Sequence, residues 1–346
     1  MSLLSGVSDF FGLDIGTTAL RLVQLHGTGP TRALVKYAYV PIDNKLAVSD
    51  AGTDQGRLAL KVRELITQSG MNTKNVAVGL PSQKVFTTVV DIEHLQKNEL
   101  DKAIRYQADS LIPTAVDESK IDWAFIGESP KDPGKIEILL SSVTNSFVEQ
   151  RLDMLESVGL NVIAFEPDNL ALARALIAPD STYPQMVLDI SSKSTDLVII
   201  MNGAPRLTRA IPTGTETIVK AAAQNLNVDD KQAAEFVFKF GLNKEKLEGQ
   251  VYQAIIGTIE ILTNEIDKSI KFFQARYTDS KIDRIIVTGG ASSLPEFPIH
   301  IANLFSLNVE IGNAWRNVSF PAERQNELTA ISNQFSVAAG LAERTE

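Results

Sequence analysis

Two stretches of the chain repeat one pattern, and this repeat constrains the fold more than any other feature. GLDIGTTALRLVQLHGTGPTRALV begins at Gly12, and VLDISSKSTDLVIIMNGAPRLTRAI begins at Val187. Each copy starts with an apolar strand that ends in an aspartate, Asp14 or Asp189, and continues through small hydroxyl residues into a second β-rich run. A glycine turn then leads to a third run. Each copy therefore predicts a meander of three antiparallel strands.

The loop after each aspartate distinguishes between classes of phosphate-binding fold. A Walker loop or a dinucleotide fingerprint leads from a strand into a helix, whereas these loops lead into another strand. The chain has no GxxxxGK[ST] motif, and Gly27 and Gly29 stand in GTGPTR, which does not fit GxGxxG. P-loop and Rossmann folds are therefore excluded.

Two similar meanders predict two related α/β domains. If these domains face each other, backbone N–H groups and Ser/Thr hydroxyls of the two hairpins can hold a polyphosphate from opposite sides. Asp14 and Asp189 would then bind hydrated Mg²⁺. The alternative is a duplicated fold whose hairpins are structural and bind no ligand. The repeat alone leaves both interpretations open.

A segment of different pattern separates the two copies. It predicts a β-α-β-β-α module, with strands at 84–92, 120–128 and 135–143 and amphipathic helices at 98–111 and 146–159. The strand 161–166 and the helix 168–176 then return to the first domain. The predicted units are a first domain of residues 1–83 and 161–180, an inserted module of 84–160, and a second domain of 181–346 with 227–270 as its helical subdomain.

A glycine pair, Gly289-Gly290, follows a buried strand in the second half. Such a pair lets a ligand approach the backbone closely. The alternative is that the turn needs an unusual φ and binds nothing.

Composition excludes several classes of protein. Forty-two acidic against 33 basic residues, and no Lys/Arg-rich run, argue against a nucleic-acid partner. The absence of cysteine excludes thiolate nucleophiles and Cys-ligated metals. His26, His94 and His300 lack metal-ligand spacing.

No apolar run approaches the ~18–20 residues that a membrane-spanning helix needs. MSLLSGVSDFFG lacks the basic start and long apolar core of a secretory signal, so we expect a cytoplasmic protein without direct membrane insertion. Within segment 1–11, one apolar face of a short helix would contain Leu3, Leu4, Val7, Phe10 and Phe11. We expect this helix to pack on the body or contact a partner. Membrane contact is the less favoured alternative because the polar face has no Lys or Arg.

With both Asp-led hairpins and the late TGGAS in place, the chain resembles the actin-like ATPase superfamily, whose fold is two ribonuclease H-like domains flanking a nucleotide cleft. It is most similar to the PilM family, cytoplasmic actin-like proteins of type IV pilus assembly that are close to FtsA. The similarity also covers ELDKAIRYQADSLIPTAVDESKIDWAFIG, ESVGLNVIAFEPDNLALARAL, LTRAIPTGTETI and DRIIVTGGASSLP.

This resemblance implies roles for particular residues. It implies ATP and Mg²⁺ as cofactors, with Mg²⁺ held through water at Asp14 and Asp189. The implied nucleotide-binding residues are Asp14, Gly16, Thr17 and Thr18 in the first loop, Asp189, Ser191, Ser192 and Thr195 in the second, Gly214 in IPTGTETI, and Gly289, Gly290 and Ala291 in the adenosine loop. Hydrolysis also needs a group that orients water, for which Glu166 is the candidate. Glu166 is otherwise a helix-start carboxylate.

The resemblance also implies partners. The inserted module and the first domain would receive the N-terminal tail of a PilN-like membrane protein, which would place the chain peripherally at the inner membrane. Other pilus platform proteins are further expected partners, and self-association stays open.

The sequence departs from the superfamily at four positions. Ser191 stands where a glycine usually permits close phosphate approach, and Thr215 where many relatives repeat a glycine. Ala234 and Val237 stand where relatives place a Glu and a Lys against the purine and ribose. Each lost charge-assisted hydrogen bond removes roughly 1.5–3 kcal/mol, so we expect at most a weak ATPase.

Two other functions stay open from the sequence. A small-molecule kinase of the same superfamily would need a catalytic aspartate beside a substrate pocket, and no further carboxylate motif supplies one. An FtsA-like division filament would need a C-terminal basic amphipathic helix, whereas this chain ends in SVAAGLAERTE, almost at the end of its last predicted helix.

Overall fold

The computed structural model describes residues 9–49 and 51–345, apart from the side chains of residues 97 and 98. The strands of this part are β1 (Phe11–Ile15), β2 (Ala19–His26), β3 (Arg32–Pro41), β4 (Asn75–Leu80), β5 (Val85–Glu93), β6 (Ser119–Glu128), β7 (Lys135–Thr144), β8 (Asn161–Pro167), β9 (Gln185–Ile190), β10 (Thr195–Met201), β11 (Ala204–Ile211), β12 (Arg284–Gly289), β13 (Asn308–Ile311) and β14 (Val318–Ser319). Its helices are α1 (Gly52–Ser69), α2 (Lys97–Leu111), α3 (Asn145–Ser157), α4 (Asp168–Leu176), α5 (Thr215–Leu226), α6 (Asp230–Phe240), α7 (Gln250–Arg276), α8 (Phe297–Phe305), α9 (Gln325–Ile331) and α10 (Ser336–Ala342).

The repeated meander forms the same structure in both halves. The first sheet has the order β14-β3-β2-β1-β4-β8, and the second has the order β11-β10-β9-β12-β13. In each sheet the three meander strands pair antiparallel, and the aspartate-bearing strand pairs parallel with a later strand on its other side. The predicted pair of related α/β domains is confirmed.

Helices on both faces explain the continuous apolar run of β1. Helix α1 packs on one face of the first sheet and α10 packs on the other, so every residue of β1 is buried. Gly12 permits this packing, because a Cβ there would lie 2.4 Å from the carbonyl oxygen of Ala338. A second core lies between the two sheets and includes Val23, Leu172 and Ile286.

A third sheet, in the order β5-β7-β6, forms the inserted module together with α2. Its pairing is antiparallel throughout. Strand β6 is an edge strand, which leaves one row of its backbone groups outside the sheet.

A buried ionic cluster joins this third sheet to the second domain. Glu137 of β7 is fully buried and accepts hydrogen bonds from Arg206 of β11, Arg276 of α7 and Tyr277. Arg276 also donates to Asp91 of β5 at 2.6 Å. The module is thus covalently attached to the first domain and ionically attached to the second.

The structure differs from the predicted boundaries in two places. Helix α3, expected in the inserted module, packs on α1 and places Met154 and Leu155 in the core of the first domain. At the C-terminal end, β14 pairs with β3, and α10 packs across β1, β2 and α4. Residues 318–342, expected in the second domain, therefore complete the first, because the small apolar residues of α10 cover the face that α1 leaves open.

Residues 227–270 contribute α6 and most of α7, which share one core with the second sheet through Val237, Ile259 and Ile266. Phe11, expected on a helical face, is the first residue of β1. Leu3, Leu4 and Val7 lie outside the described residues. Among the helices of residues 9–49 and 51–345, none combines the length and hydrophobicity required to cross a bilayer.

Candidate functional site

A cleft of about 510 Å³ lies between the two domains. The predicted residues that line it are Asp14, Gly16, Thr17, Thr18, Asp189, Ser191, Ser192, Gly289 and Gly290. The fold thus brings both Asp-led loops and the glycine pair to one cavity. The remaining predicted residues, Thr195, Gly214 and Ala291, do not line it.

The first loop connects β1 to β2 and carries an ion pair that sequence reasoning missed. Arg21 lies directly opposite Asp14 in the hairpin and donates from Nη1 to Asp14 Oδ2 at 3.3 Å. Gly16 leaves room for this guanidinium, because a Cβ there would lie 2.9 Å from Arg21 Nη1. Burial raises the pKa of Asp14, against the lowering effect of Arg21. The first loop therefore presents a cation beside its hydroxyls.

The second loop places a carboxylate where the first has the arginine. Asp196 lies opposite Asp189 in the register of β9 and β10, as Arg21 lies opposite Asp14. Burial raises the pKa of Asp196 to about 7. Burial, followed by the charge of Asp196, raises the pKa of Asp189 to about 7 as well. The two hairpins therefore match in register, with an aspartate at one position and opposite charges, Arg21 and Asp196, at the position facing it.

The N-terminus of α5 holds the second loop in place. The backbone N–H groups of Thr215 and Glu216 donate to the carbonyl oxygens of Ser191 and Ser192 at 3.0 and 2.9 Å. Gly214 permits this contact, because a Cβ there would lie 2.4 Å from the Ser192 oxygen. The hydroxyl of the buried Thr195 donates to the backbone of the same region. Thr195 and Gly214 thus support the loop from behind.

The glycine pair lies directly against Asp189. Gly289 has φ +77°, and a Cβ there would lie 2.2 Å from Asp189 Oδ1. Asn333, which sequence reasoning also missed, donates from Nδ2 to the Gly289 carbonyl, Ser292 Oγ and Ser293 Oγ. Ala291 is fully buried and contributes to the core of the second domain instead of the cleft.

Asp168 is the acidic residue that β8 and α4 supply to the cleft. Burial, followed by the nearby aspartates, raises the pKa of Asp168 well above its usual range. Within the described residues, Asp168 Oδ1 and Asp196 Oδ1 are buried without a hydrogen-bond partner. The same part of the chain contains no group of three acidic or histidine side chains placed to ligate a metal directly. These acceptor atoms fit a cation that keeps its water shell.

Glu166, the predicted water-orienting residue, does not line the cleft. It is 3% exposed and forms ion pairs with Arg174 and with Arg344, the latter at 3.1 Å. Glu166 is therefore not positioned to orient a water molecule in the cleft. Its side chain instead lines a groove on the other side of β8.

This groove lies between the edge strand β6 and the first domain. It has a volume of about 320 Å³ and contains Trp123 and Ala124 from β6, Phe165 and Leu170 from the first domain, and Arg344. A neighbouring cavity of about 440 Å³ shares Ala124, Leu139, Glu166 and Leu170 with it and reaches the turn between β10 and β11. The groove thus presents apolar side chains on the face of the third sheet, next to the edge strand β6.

Two domains built on one meander, with a cleft lined by both hairpin loops and a glycine pair, define an actin-like ATPase fold. The ethanolamine utilization protein EutJ from Carboxydothermus hydrogenoformans shares this fold, at 16% identity and TM-score 0.57 over 96% of this chain and 88% of that one. MreB5 of Spiroplasma citri bound to ADP shares it at 12% identity and TM-score 0.55, over 96% and 94%.

Within this class, one solved structure is much more similar. It is a PilM-PilN type IV pilus biogenesis complex, at 25% identity and TM-score 0.81, covering 96% of this chain and 97% of that one. Residues 12–346 match the family model for the type IV pilus assembly protein PilM. The chain belongs to the PilM family, as the sequence resemblance indicated.

Proposed function

We propose that this protein is an actin-like scaffold of type IV pilus assembly that binds the N-terminal tail of a PilN-like membrane protein. The observation that carries this proposal is the family match over residues 12–346, together with the similarity to a PilM-PilN complex. Binding to such a partner would hold the protein at the cytoplasmic side of the inner membrane. No finding favours the small-molecule kinase or the division filament.

The groove beside β6 is the proposed receptor for the tail. A peptide can add to the free edge of β6 through main-chain hydrogen bonds, which give affinity, while side-chain pockets give specificity. The groove offers apolar contacts from Ala124, Phe165 and Leu170. Both the inserted module and the first domain would then contact the peptide.

The test uses a synthetic peptide of the PilN N-terminal tail and fluorescence anisotropy. Ala124→Arg introduces a long side chain into the groove from an exposed position. It should weaken binding at least tenfold, whereas Ala330→Arg on the exposed face of α9 should leave it unchanged. Equal binding by both variants would reject the groove, and no binding by the native chain would reject the scaffold proposal.

The cleft is the proposed site for Mg·ATP. Two features support this: the cation and hydroxyls of the first loop, and the unpartnered carboxylate oxygens. Asp14, Asp168 and Asp189 would face the hydrated Mg²⁺, which would neutralise phosphate charge when bound. Any turnover would depend on Asp168 and not on Glu166.

Calorimetric titration with Mg·ATP tests this site. Asp14→Asn should abolish the binding heat while Asp132→Asn, at an exposed turn, should retain it. The absence of heat from the native chain at millimolar nucleotide would reject nucleotide binding and leave the scaffold proposal intact.

A further inference from the structure

The long helix α7 exposes two large apolar side chains. Its buried face packs in the core of the second domain through residues such as Ile259, Leu262 and Ile266. On the opposite face, Ile261 is 60% exposed and Phe272 is 65% exposed. The interval from 261 to 272 is close to three helical turns, so the two side chains lie on one line along α7. A lone exposed apolar residue is normal on a protein surface, whereas two in line offer a second helix a strip to pack against.

Two charged residues lie between them on the same strip. Positions 261, 265, 268 and 272 are spaced by four, three and four residues, which is the spacing of the a and d positions of a coiled-coil heptad. The Glu265 carboxylate is held by Lys268 Nζ at 2.6 Å and by Arg209 Nη2 of β11 at 2.9 Å. These four residues, Ile261, Glu265, Lys268 and Phe272, form what we call the α7 seam. Along the helix the seam is apolar, acidic, basic and apolar.

This order is complementary to itself in the reverse direction. An isologous contact about a two-fold axis places residue i on residue j of the second copy, and j on i. With two α7 helices antiparallel and the axis between residues 266 and 267, Ile261 meets Phe272 of the second copy. Glu265 likewise meets Lys268 of the second copy. A parallel alignment would set carboxylate against carboxylate and ammonium against ammonium, which is unfavourable. The seam therefore fits a second copy of the chain in one orientation.

The α7 seam is separate from the two sites described above. The described linings of the cleft and of the groove beside β6 contain no seam residue. Two chains joined through α7 would therefore keep both clefts and both grooves available. If the groove receives the partner tail, such a pair would hold two tails at once, which raises the effective affinity for a membrane that carries many copies of the partner.

We propose that the α7 seam is a self-association surface, through which two copies of this chain form an antiparallel dimer with two-fold symmetry. The outer layers bury Ile261 and Phe272, and the inner layers pair Glu265 with Lys268 across the axis. Because about three helical turns make a small contact, this is a weak, transient interface of the class that buries less than ~1,200 Å². At the micromolar concentrations of an unfolding measurement the chain is then mainly monomeric.

Sedimentation equilibrium of the full chain, from micromolar to millimolar concentration, measures the dissociation constant of the dimer. Phe272→Glu should raise it about tenfold or more by placing a carboxylate in an apolar layer, and Ile261→Glu should do the same. Leu60→Glu is the matched control, because Leu60 lies on α1 and is 64% exposed. It should leave the dissociation constant unchanged. A native chain that stays monomeric throughout, or equal dissociation constants for Phe272→Glu and Leu60→Glu, would overturn the proposal.

Exchange of the seam charges tests the inner layers. The Lys268→Glu chain carries two carboxylates in its seam, and the Glu265→Lys chain carries two ammonium groups, so neither should dimerise with itself. An equimolar mixture of the two should dimerise, since each inner layer then joins opposite charges. A mixture that associates no more strongly than its components would contradict the charge pairing.

Cysteine cross-linking tests the orientation, and the native chain has no cysteine to interfere. In the antiparallel dimer Ile261 of one chain lies beside Phe272 of the other, whereas the two copies of Ile261 are about 16 Å apart along the helices. A short bismaleimide should therefore join Ile261→Cys chains to Phe272→Cys chains in a mixture, and should join neither variant to itself. Cross-linking of Ile261→Cys to itself as fast as in the mixture would show a parallel contact and overturn the proposed dimer.

Discussion

Replacing Glu137 with glutamine should loosen the inserted module from the second domain. Glu137 accepts four hydrogen bonds, from Arg206 Nη1 at 2.6 Å, Arg276 Nη2 at 2.7 Å and Nε at 2.8 Å, and Tyr277 OH at 2.8 Å. Hydrogen bonds to Glu137 raise the pKa of Arg276 despite burial, and burial together with the bond to Glu137 raises that of Tyr277 to about 12. The carboxylate therefore stabilises the charged guanidinium and the protonated phenol.

The expected loss in the free energy of unfolding follows from the hydrogen bonds and the negative charge that a glutamine amide cannot supply. Glutamine keeps the shape, but its NH₂ group replaces one acceptor oxygen with a donor, so the bonds to that oxygen are lost, and the remaining bonds lose the negative charge of their acceptor, about 1 kcal/mol apiece. Arg276 keeps Asp91 as an acidic partner in this cluster, whereas the buried Arg206 loses the carboxylate with which it pairs. The result agrees with the ~3–5 kcal/mol typical of removing one partner of a buried ion pair. We expect the free energy of unfolding to fall by about 4 kcal/mol.

The assay is urea unfolding combined with amide hydrogen exchange of β5, β6 and β7. Glu265→Gln is the matched control, because Glu265 also pairs with two basic residues, Arg209 and Lys268, but at the surface of α7. Its unfolding should be nearly unchanged, since exposed pairs contribute little. Adding Arg206→Met to the Glu137→Gln variant should restore part of the loss by removing an unpaired buried charge.

An unfolding midpoint of Glu137→Gln equal to that of the control, with unchanged exchange in the third sheet, would refute this reasoning. Faster exchange confined to the third sheet with an unchanged global midpoint would mean that the module detaches before the domains unfold. That result would keep the cluster as an attachment and reduce its contribution to global stability.

Three further predictions concern the cleft and the core. Burial raises the pKa of Asp189 from its ordinary value of about 4 to about 7, so the stability that the protonated carboxyl contributes below pH 4 is lost as the pH rises through 7. Asp189→Asn should therefore unfold at a higher temperature than the native chain at pH 8 and at a similar temperature at pH 4. An equal difference in unfolding temperature at both pH values would contradict this. Gly340→Ala should cost about 1–3 kcal/mol or more in urea unfolding, because its Cβ would lie 1.9 Å from the Ala171 carbonyl oxygen, whereas Gly257→Ala, with open space inside α7, should gain about 0.5–1 kcal/mol. Arg21→Gln should weaken Mg·ATP binding about tenfold in calorimetry by removing a charge-assisted phosphate contact, and unchanged affinity would place the phosphates elsewhere.

Features that depend on neighbouring residues were predictable. The meanders follow from apolar runs and glycine turns a few residues apart, and α4 begins and ends at the predicted residues, Asp168 and Leu176. The residues of both hairpin loops could be named because a turn places them at the end of a known strand. Even Arg21 was accessible in principle, since hairpin register sets it opposite Asp14.

Features that depend on distant packing were not predictable. Glu166 and Asp168 stand two residues apart, yet one pairs with Arg344 beside the groove and the other lines the cleft. Similarly, α3 packs on α1, away from the module that precedes it, and α10 returns from the second domain to cover β1. A local pattern marks each of these helices as amphipathic or apolar but does not say which surface it covers.

The sequence by itself determined the duplicated domains, the loops that converge on a cleft, and the family. It did so because strand periodicity, turn residues and motif order are properties of adjacent positions. Tertiary structure alone decided that Asp168 and not Glu166 contributes the carboxylate, and that Glu137 fastens the inserted module. Each of these depends on the direction of a side chain relative to residues far away in the chain, which is fixed only when the helices and sheets pack.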